Sequence, residues 1–422
     1  MVASPLRPSA RSGRWGGVLA MVEQHQARWR SRLLGGVRPT GEGHRATPFE
    51  LFFDLVYVFA VTQVTGYMAH EHTALGVFQG LLLLALLWWT WSAYAWLGNE
   101  ARADEGLVRA GMAVAMAAIF VVALTIPEAW QDAPGGLNGP LVLVGAYLLV
   151  RCVHLPLYAV AATDDRELRR RLTITWGPLL AGAALLIAGV LVGGWIQTLL
   201  FAAALLVDWV GVWLISRQGG WRPPSPAHWT ERHGLFIILA IGESVVAIGV
   251  GAAQQPISTP LLVAAILGVA IAVGLWWLYF DVASLAAEPG WSRRAARPGS
   301  GWPWRPTPMG TSPSSLALCS PPWAWRVCWP TRMSPSRWGF YAAALFGGVA
   351  LYLAGHLLFK RRMHGALGLP RLVAIGVFLA ALPAAIVLPP LAGLAGLVVI
   401  LAVLIGVETA RYAQIRRSLR GA

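Results

Sequence analysis

Along the chain, runs of about 20 apolar residues alternate with short segments rich in Arg, Gly and Pro. The runs fall near 49–68, 74–97, 106–126, 139–161, 172–192 and 195–215, then 233–252, 260–280, 340–359, 370–388 and 389–409. Each is long enough to cross the hydrocarbon core of a bilayer as a helix. The pattern predicts an all-α polytopic membrane protein with eleven apparent transmembrane helices. Charges between the runs orient it. Arg102 and Arg109 flank the second loop, DDRELRRR (164–171) is the fourth, and Arg217, Arg222 and Arg232 mark the sixth. The loops at 127–140, 193–194 and 252–260 contain no Lys or Arg. Since positive loops stay inside, the amino terminus is expected to be cytoplasmic, and the alternation holds through the eighth run.

Parity then breaks. The eighth run ends near Arg293, Arg294 and Arg297, and the run at 340–359 also ends in a basic cluster, KRRMH (360–364). One crossing is missing between them. Residues 291–338 hold seven Trp, nine Pro, seven Arg and two Cys, with no Asp, Glu or Ile. Every Trp codon is TGG, so a one-base shift turns each Trp into Leu, Val or Met. Applied to PWAWRVCW (322–329), the shift restores an apolar pattern where parity requires one. The segment reads as out of frame, and twelve helices are expected in the intact frame. The alternative is a genuine Pro/Trp-rich cytoplasmic loop.

The chain also looks duplicated. FELFFDLVYVFAV, followed by LWWTWSAYAW (87–96), has a counterpart in RHGLFIILAIGESVVAIG (232–249), followed by LWWLYFD (275–281). Six spans per half is an even number, so the two repeats should run parallel. The expected organisation is a basic cytoplasmic tail (1–48), a first repeat (49–216), a cytoplasmic linker (217–232), a second repeat (233–409) and a basic cytoplasmic tail (410–422).

Composition narrows the function classes. Mean hydropathy is +0.59, with 57% hydrophobic and 12% charged residues, which suits a membrane protein. The net charge of +14 sits in short clusters between apolar runs, where it sets topology, so nucleic acid is not the expected partner; the bilayer is. Three Cys (152, 319 and 328) support neither a disulfide framework nor a metal cluster. The first 48 residues lack an apolar core of signal-peptide length, and Met21 is an alternative start. Phosphate-binding Gly loops, HExxH and GxSxG motifs are absent from the sequence. No cofactor, metal or enzymatic activity is expected.

FELFFDLVYVFAVTQVT and ERHGLFIILAIGESVVAIG resemble the two signature segments of the bacterial low temperature requirement A family. The resemblance covers about 45–290 and 339–409. It implies a multi-pass protein of the bacterial cytoplasmic membrane linked to growth in the cold, with no established molecular activity. The chain departs from the family across 291–338, where shifting RPTPMGTSP (305–313) by one base permits the family's Asp-Ala-Tyr type segment. FFD (52–54) also resembles the Phe-Ser-Asp helix of a family of twelve-span, two-repeat potassium channels.

Polar residues inside the runs are the candidate chemistry, because an ionisable group at membrane depth is costly and marks a pathway or a packed pair. Glu50 and Asp54 lie one turn apart on one helix face and form either a cation or proton site or a packing pair. Glu243 falls near the middle of its run, between Gly242 and Ser244, which would let another backbone approach. Glu231, Arg232 and His233 read as a helix cap and a topology signal, with His233 the member that could titrate in a pathway. Asp208 and His154 are candidates for the same path or for satisfied core groups. Trp88, Trp89, Trp276 and Trp277 read as packing or interfacial residues. The leading expectation is a transporter- or channel-like protein for a cation or proton-coupled solute. A non-transporting sensor or scaffold is the alternative, and a lipid-modifying enzyme the third reading.

Overall fold

The computed structural model describes residues 45–71, 73–162, 166–216, 225–280, 335–364 and 368–411. Among them are eleven helices long and apolar enough to cross a membrane, and no strand. They are α1 (Pro48–Glu71), α2 (Ala74–Glu100), α3 (Gly106–Thr125), α4 (Gly139–Ala161), α5 (Arg166–Val192), α6 (Gly194–Ser216), α7 (Pro226–Ala253), α8 (Thr259–Leu278), α9 (Pro335–His364), α10 (Leu369–Val387) and α11 (Pro390–Arg411). The out-of-frame reading of 291–338 concerns a segment lying, up to residue 334, outside the described residues. So do the two tails at 1–44 and 412–422.

Local chemistry sets the helix starts. Thr73 caps α2, its side chain accepting from Gly76 N–H at 2.9 Å, and Asn138 caps α4, accepting from Leu141 N–H at 2.9 Å. Such caps satisfy amide donors that have no partner within the helix. Pro140, Pro226, Pro260, Pro370 and Pro390 occupy first turns, where a missing N–H costs nothing. Gly193 and Gly194, at φ +72° and +59°, close the α5–α6 hairpin in a backbone region that side-chain-bearing residues avoid.

Helix α2 is the axis of the first half. It packs on α1, α4 and α6, while α3 bridges α1 and α4, and α5 bridges α4 and α6. In the second half α7 packs on α8, α8 on α11, and α10 on both α9 and α11. The halves meet where α7 lies against α1 and α2. Leu, Ile, Val and Phe side chains on many helices point outward, among them Phe120, Leu180, Ile266 and Val403, as a lipid-facing surface requires. Buried positions instead carry the polar residues, because only protein partners can offset their desolvation.

Candidate functional site

The first turn of α1 carries a capping box, Thr47-Pro-Phe-Glu50. Thr47 donates to Glu50 Oε2 through N–H (2.9 Å) and Oγ1 (3.1 Å), and Glu50 N–H donates back to Thr47 Oγ1 at 3.3 Å. This reciprocal pattern starts the helix and turns the carboxylate inward. The other oxygen of Glu50 accepts from Arg232 Nη1 of α7 at 2.6 Å, and His228 Nε2 lies 3.1 Å from it. One turn on, Asp54 Oδ1 accepts from Arg232 Nη2 at 3.1 Å and from Trp91 Nε1 of α2 at 2.7 Å. Glu50, Asp54, His228 and Arg232 are all essentially inaccessible. The arginine lies over the rings of Phe53 and Trp91, which adds cation–π attraction. Gly98 of α2 makes room: a Cβ there would collide with Glu50 Oε1 and come within 2.8 Å of Arg232 Nη1.

Two readings of α7 change. Residues 226–232, expected as linker, form its first two turns, so Glu231, Arg232 and His233 sit within the helix and do not cap it. Arg232 is the buried partner of both α1 carboxylates. His233 bonds to the Trp229 carbonyl at 2.9 Å and packs among Trp88, Trp91 and Trp229, an aromatic setting within the helix junction. Glu243 is buried, but eleven residues past Arg232 it is about 16 Å farther along α7. It does not join the Glu50–Asp54 cluster. Gly242 beside it faces open space among the described residues, so no neighbouring backbone approaches there.

Asp208 and His154 belong to a second cluster, centred on Arg151, which sequence reasoning missed. Arg151 Nη2 donates to Asp208 Oδ2 at 2.6 Å, and Trp89 Nε1 donates to the same oxygen at 2.6 Å. His154 Nε2 lies 3.0 Å from the Ala93 carbonyl; since a carbonyl only accepts, this nitrogen carries the hydrogen. Arg151 is the thirteenth residue of α4 and Asp208 the fifteenth of α6, so the pair is at mid-helix. An Arg in the middle of an apolar run is the signal that could have found it. A cavity of about 60 Å³ between α2, α4, α5 and α6 borders Arg151 and His154.

Comparison with known proteins agrees with the architecture. A family profile described as "Bacterial low temperature requirement A protein (LtrA)" matches residues 45–406. An uncharacterized protein of Rhizobium meliloti (strain 1021) is 26% identical over 245 residues, covering 55% of this chain and 57% of its own length. The chain thus spans little more than half of that curated relative. No solved structure matches.

Proposed function

The chain belongs to the bacterial low temperature requirement A family and is a multi-pass membrane protein; from that premise we propose that it is a proton-coupled transporter of a small polar solute, acting in growth in the cold. The observation carrying this reading is the charge count at the contact between halves. Among the described residues, Glu50 and Asp54 of the first half face one guanidinium, that of Arg232 of the second. Two anions and one cation buried together leave one negative charge, which low-dielectric surroundings disfavour. A proton on one of the two carboxylates balances it. Proton gain or loss therefore changes how tightly the halves hold together, which is what coupling requires. The mid-helix Arg151–Asp208 pair beside a cavity supplies a polar region deeper in the first half.

In this reading the halves are parallel repeats, both termini are cytoplasmic, and the membrane is the bacterial inner membrane. The recurring neighbour pattern, α1–α2 with α7–α8 and α5–α6 with α10–α11, supports the repeat. Pairing of the carboxylates with arginine favours proton coupling over free cation permeation. It also keeps the scaffold reading as the competitor, since a paired junction can simply hold helices.

Proteoliposomes containing the full chain and a lumenal pH reporter test the proposal. Addition of small polar solutes should drive proton movement, and Asp54→Asn should abolish it without lowering reconstituted protein. Monovalent cation current without proton movement would favour a channel, and movement of neither would leave the scaffold.

A further inference from the structure

We propose that the cavity beside Arg151 is a binding site for a small carboxylate, or a similar planar oxyanion, that enters together with one proton. It extends from Arg151 at mid-α4 to Ser216, the last residue of α6, so it runs from membrane depth toward one end of the bundle. Its walls include Trp89, Trp96, Arg151, His154, Tyr158 and Thr175, and among the described residues no Asp or Glu lines it. Asp208 lies behind Arg151 and borders a separate, smaller void. The charge presented to the cavity is therefore the guanidinium.

Among the described residues, Arg151 and His154 of the lining each carry a buried polar atom with no protein partner. Arg151 spends Nη2 on Asp208, while its Nε is unpaired. His154 donates through Nε2 to Ala93, while its Nδ1 is unpaired. Buried polar atoms without partners are rare and costly, and here both belong to residues only 3% and 5% exposed. Their chemistry is complementary to one ligand class. A guanidinium edge binds a planar carboxylate through parallel N–H bonds. Nδ1, as the unprotonated nitrogen, accepts and cannot hold an anion by itself; a proton arriving with the anion satisfies it and keeps the net charge unchanged. Among the described residues, the groups facing His154 are Arg151 and Tyr158 on its own helix and Tyr94 on α2. Asp208 of α6 lies beyond Arg151, and Arg171 of α5 is engaged by Glu167. At about 10–15 Å³ per water, a space of about 60 Å³ takes about four to six water-sized atoms, enough for acetate or hydrogencarbonate.

The inference rests on the transporter reading only for the transport step after binding, so binding and flux are measured separately. Acetate is titrated calorimetrically into the full chain in lipid nanodiscs across a pH series. Saturable binding should weaken about tenfold per pH unit as pH rises, the slope for one proton taken up per anion. Ala93→Leu, which fills the cavity without touching the ion pair, should abolish binding while leaving the melting temperature near wild type. Arg151→Lys keeps the charge but loses the fork, and should weaken acetate about tenfold or more. Absence of binding by folded wild type, pH-independent binding, or full binding by both variants would overturn the proposal. Binding without solute-driven proton movement would retain the site and remove the transporter. Proton movement driven by other solutes without acetate binding would do the reverse.

Discussion

Among the described residues, each half of the bundle holds one ion pair formed within that half whose arginine and carboxylate are both buried, and the two pairs are built differently. In the second half Arg371 of α10 makes a two-pronged contact with Glu408 of α11, Nε to Oε1 at 2.8 Å and Nη2 to Oε2 at 2.9 Å. Nη2 also donates to the Leu278 carbonyl at 2.9 Å, and Nη1 meets His356 Nδ1. Every nitrogen is used, and four helices are tied together near their ends. In the first half Arg151 contacts Asp208 by one nitrogen, its Nε is unpaired, and a cavity adjoins it. A saturated guanidinium serves as a clamp. An unsaturated one at membrane depth, beside open space, is available for something else.

Truncating the clamp should therefore do the most damage. Arg371→Leu leaves Glu408 as an unpaired buried charge, and we expect a loss of roughly 3–5 kcal/mol, read as a large fall in melting temperature in detergent. Arg151→Leu should cost about half as much, because Asp208 keeps its Trp89 donor and adjoins space for water. Equal losses would break the comparison. The double variant Arg371→Met with Glu408→Leu should recover most of the loss, since a well-packed apolar pair often replaces a buried ion pair with little penalty. Failure to recover would mean that the Leu278 carbonyl and His356, once abandoned, matter more than the ion pair. The smallest effect is expected for Trp89→Phe, which removes one donor to Asp208 and should cost about 1.5 kcal/mol, the low end for a hydrogen bond to a charged group. A melting temperature equal to wild type would show that Arg151 alone holds Asp208.

Hydropathy made most of the fold legible, because spanning a bilayer is a local demand on length and composition. All eleven apolar runs correspond to helices, and 139–161 coincides with α4 to the residue. The start of α7 was missed by seven residues. The polar stretch HWTERH hid it, although Ser225-Pro226 has the residue types of a cap and first turn. For the candidate site, the spacing of Glu50 and Asp54 put them on one face, and the capping box was present in TPFE. Their partner was not legible: Arg232 resembled every other arginine at a membrane edge, where a topology signal and an ion-pair partner look alike. Arg371 and Glu408, near the ends of their runs, were hidden for the same reason, whereas Arg151 and His356 lie within apolar runs, where a lone polar residue is a signal in itself.

The sequence by itself determined that this chain crosses a membrane many times as helices, and that certain carboxylates cannot face lipid. Period, length and the cost of burying charge depend only on neighbours along the chain. Which charges meet was decided by tertiary structure alone. Arg232 finds Glu50 across 182 residues and Asp54 across 178, and Arg151 finds Asp208 across 57. Such pairings depend on which helix faces pack together, and many helix arrangements satisfy the same hydropathy. Whether a guanidinium is saturated or left with a free edge is decided later still, by whether a fourth helix supplies a carbonyl or leaves a cavity.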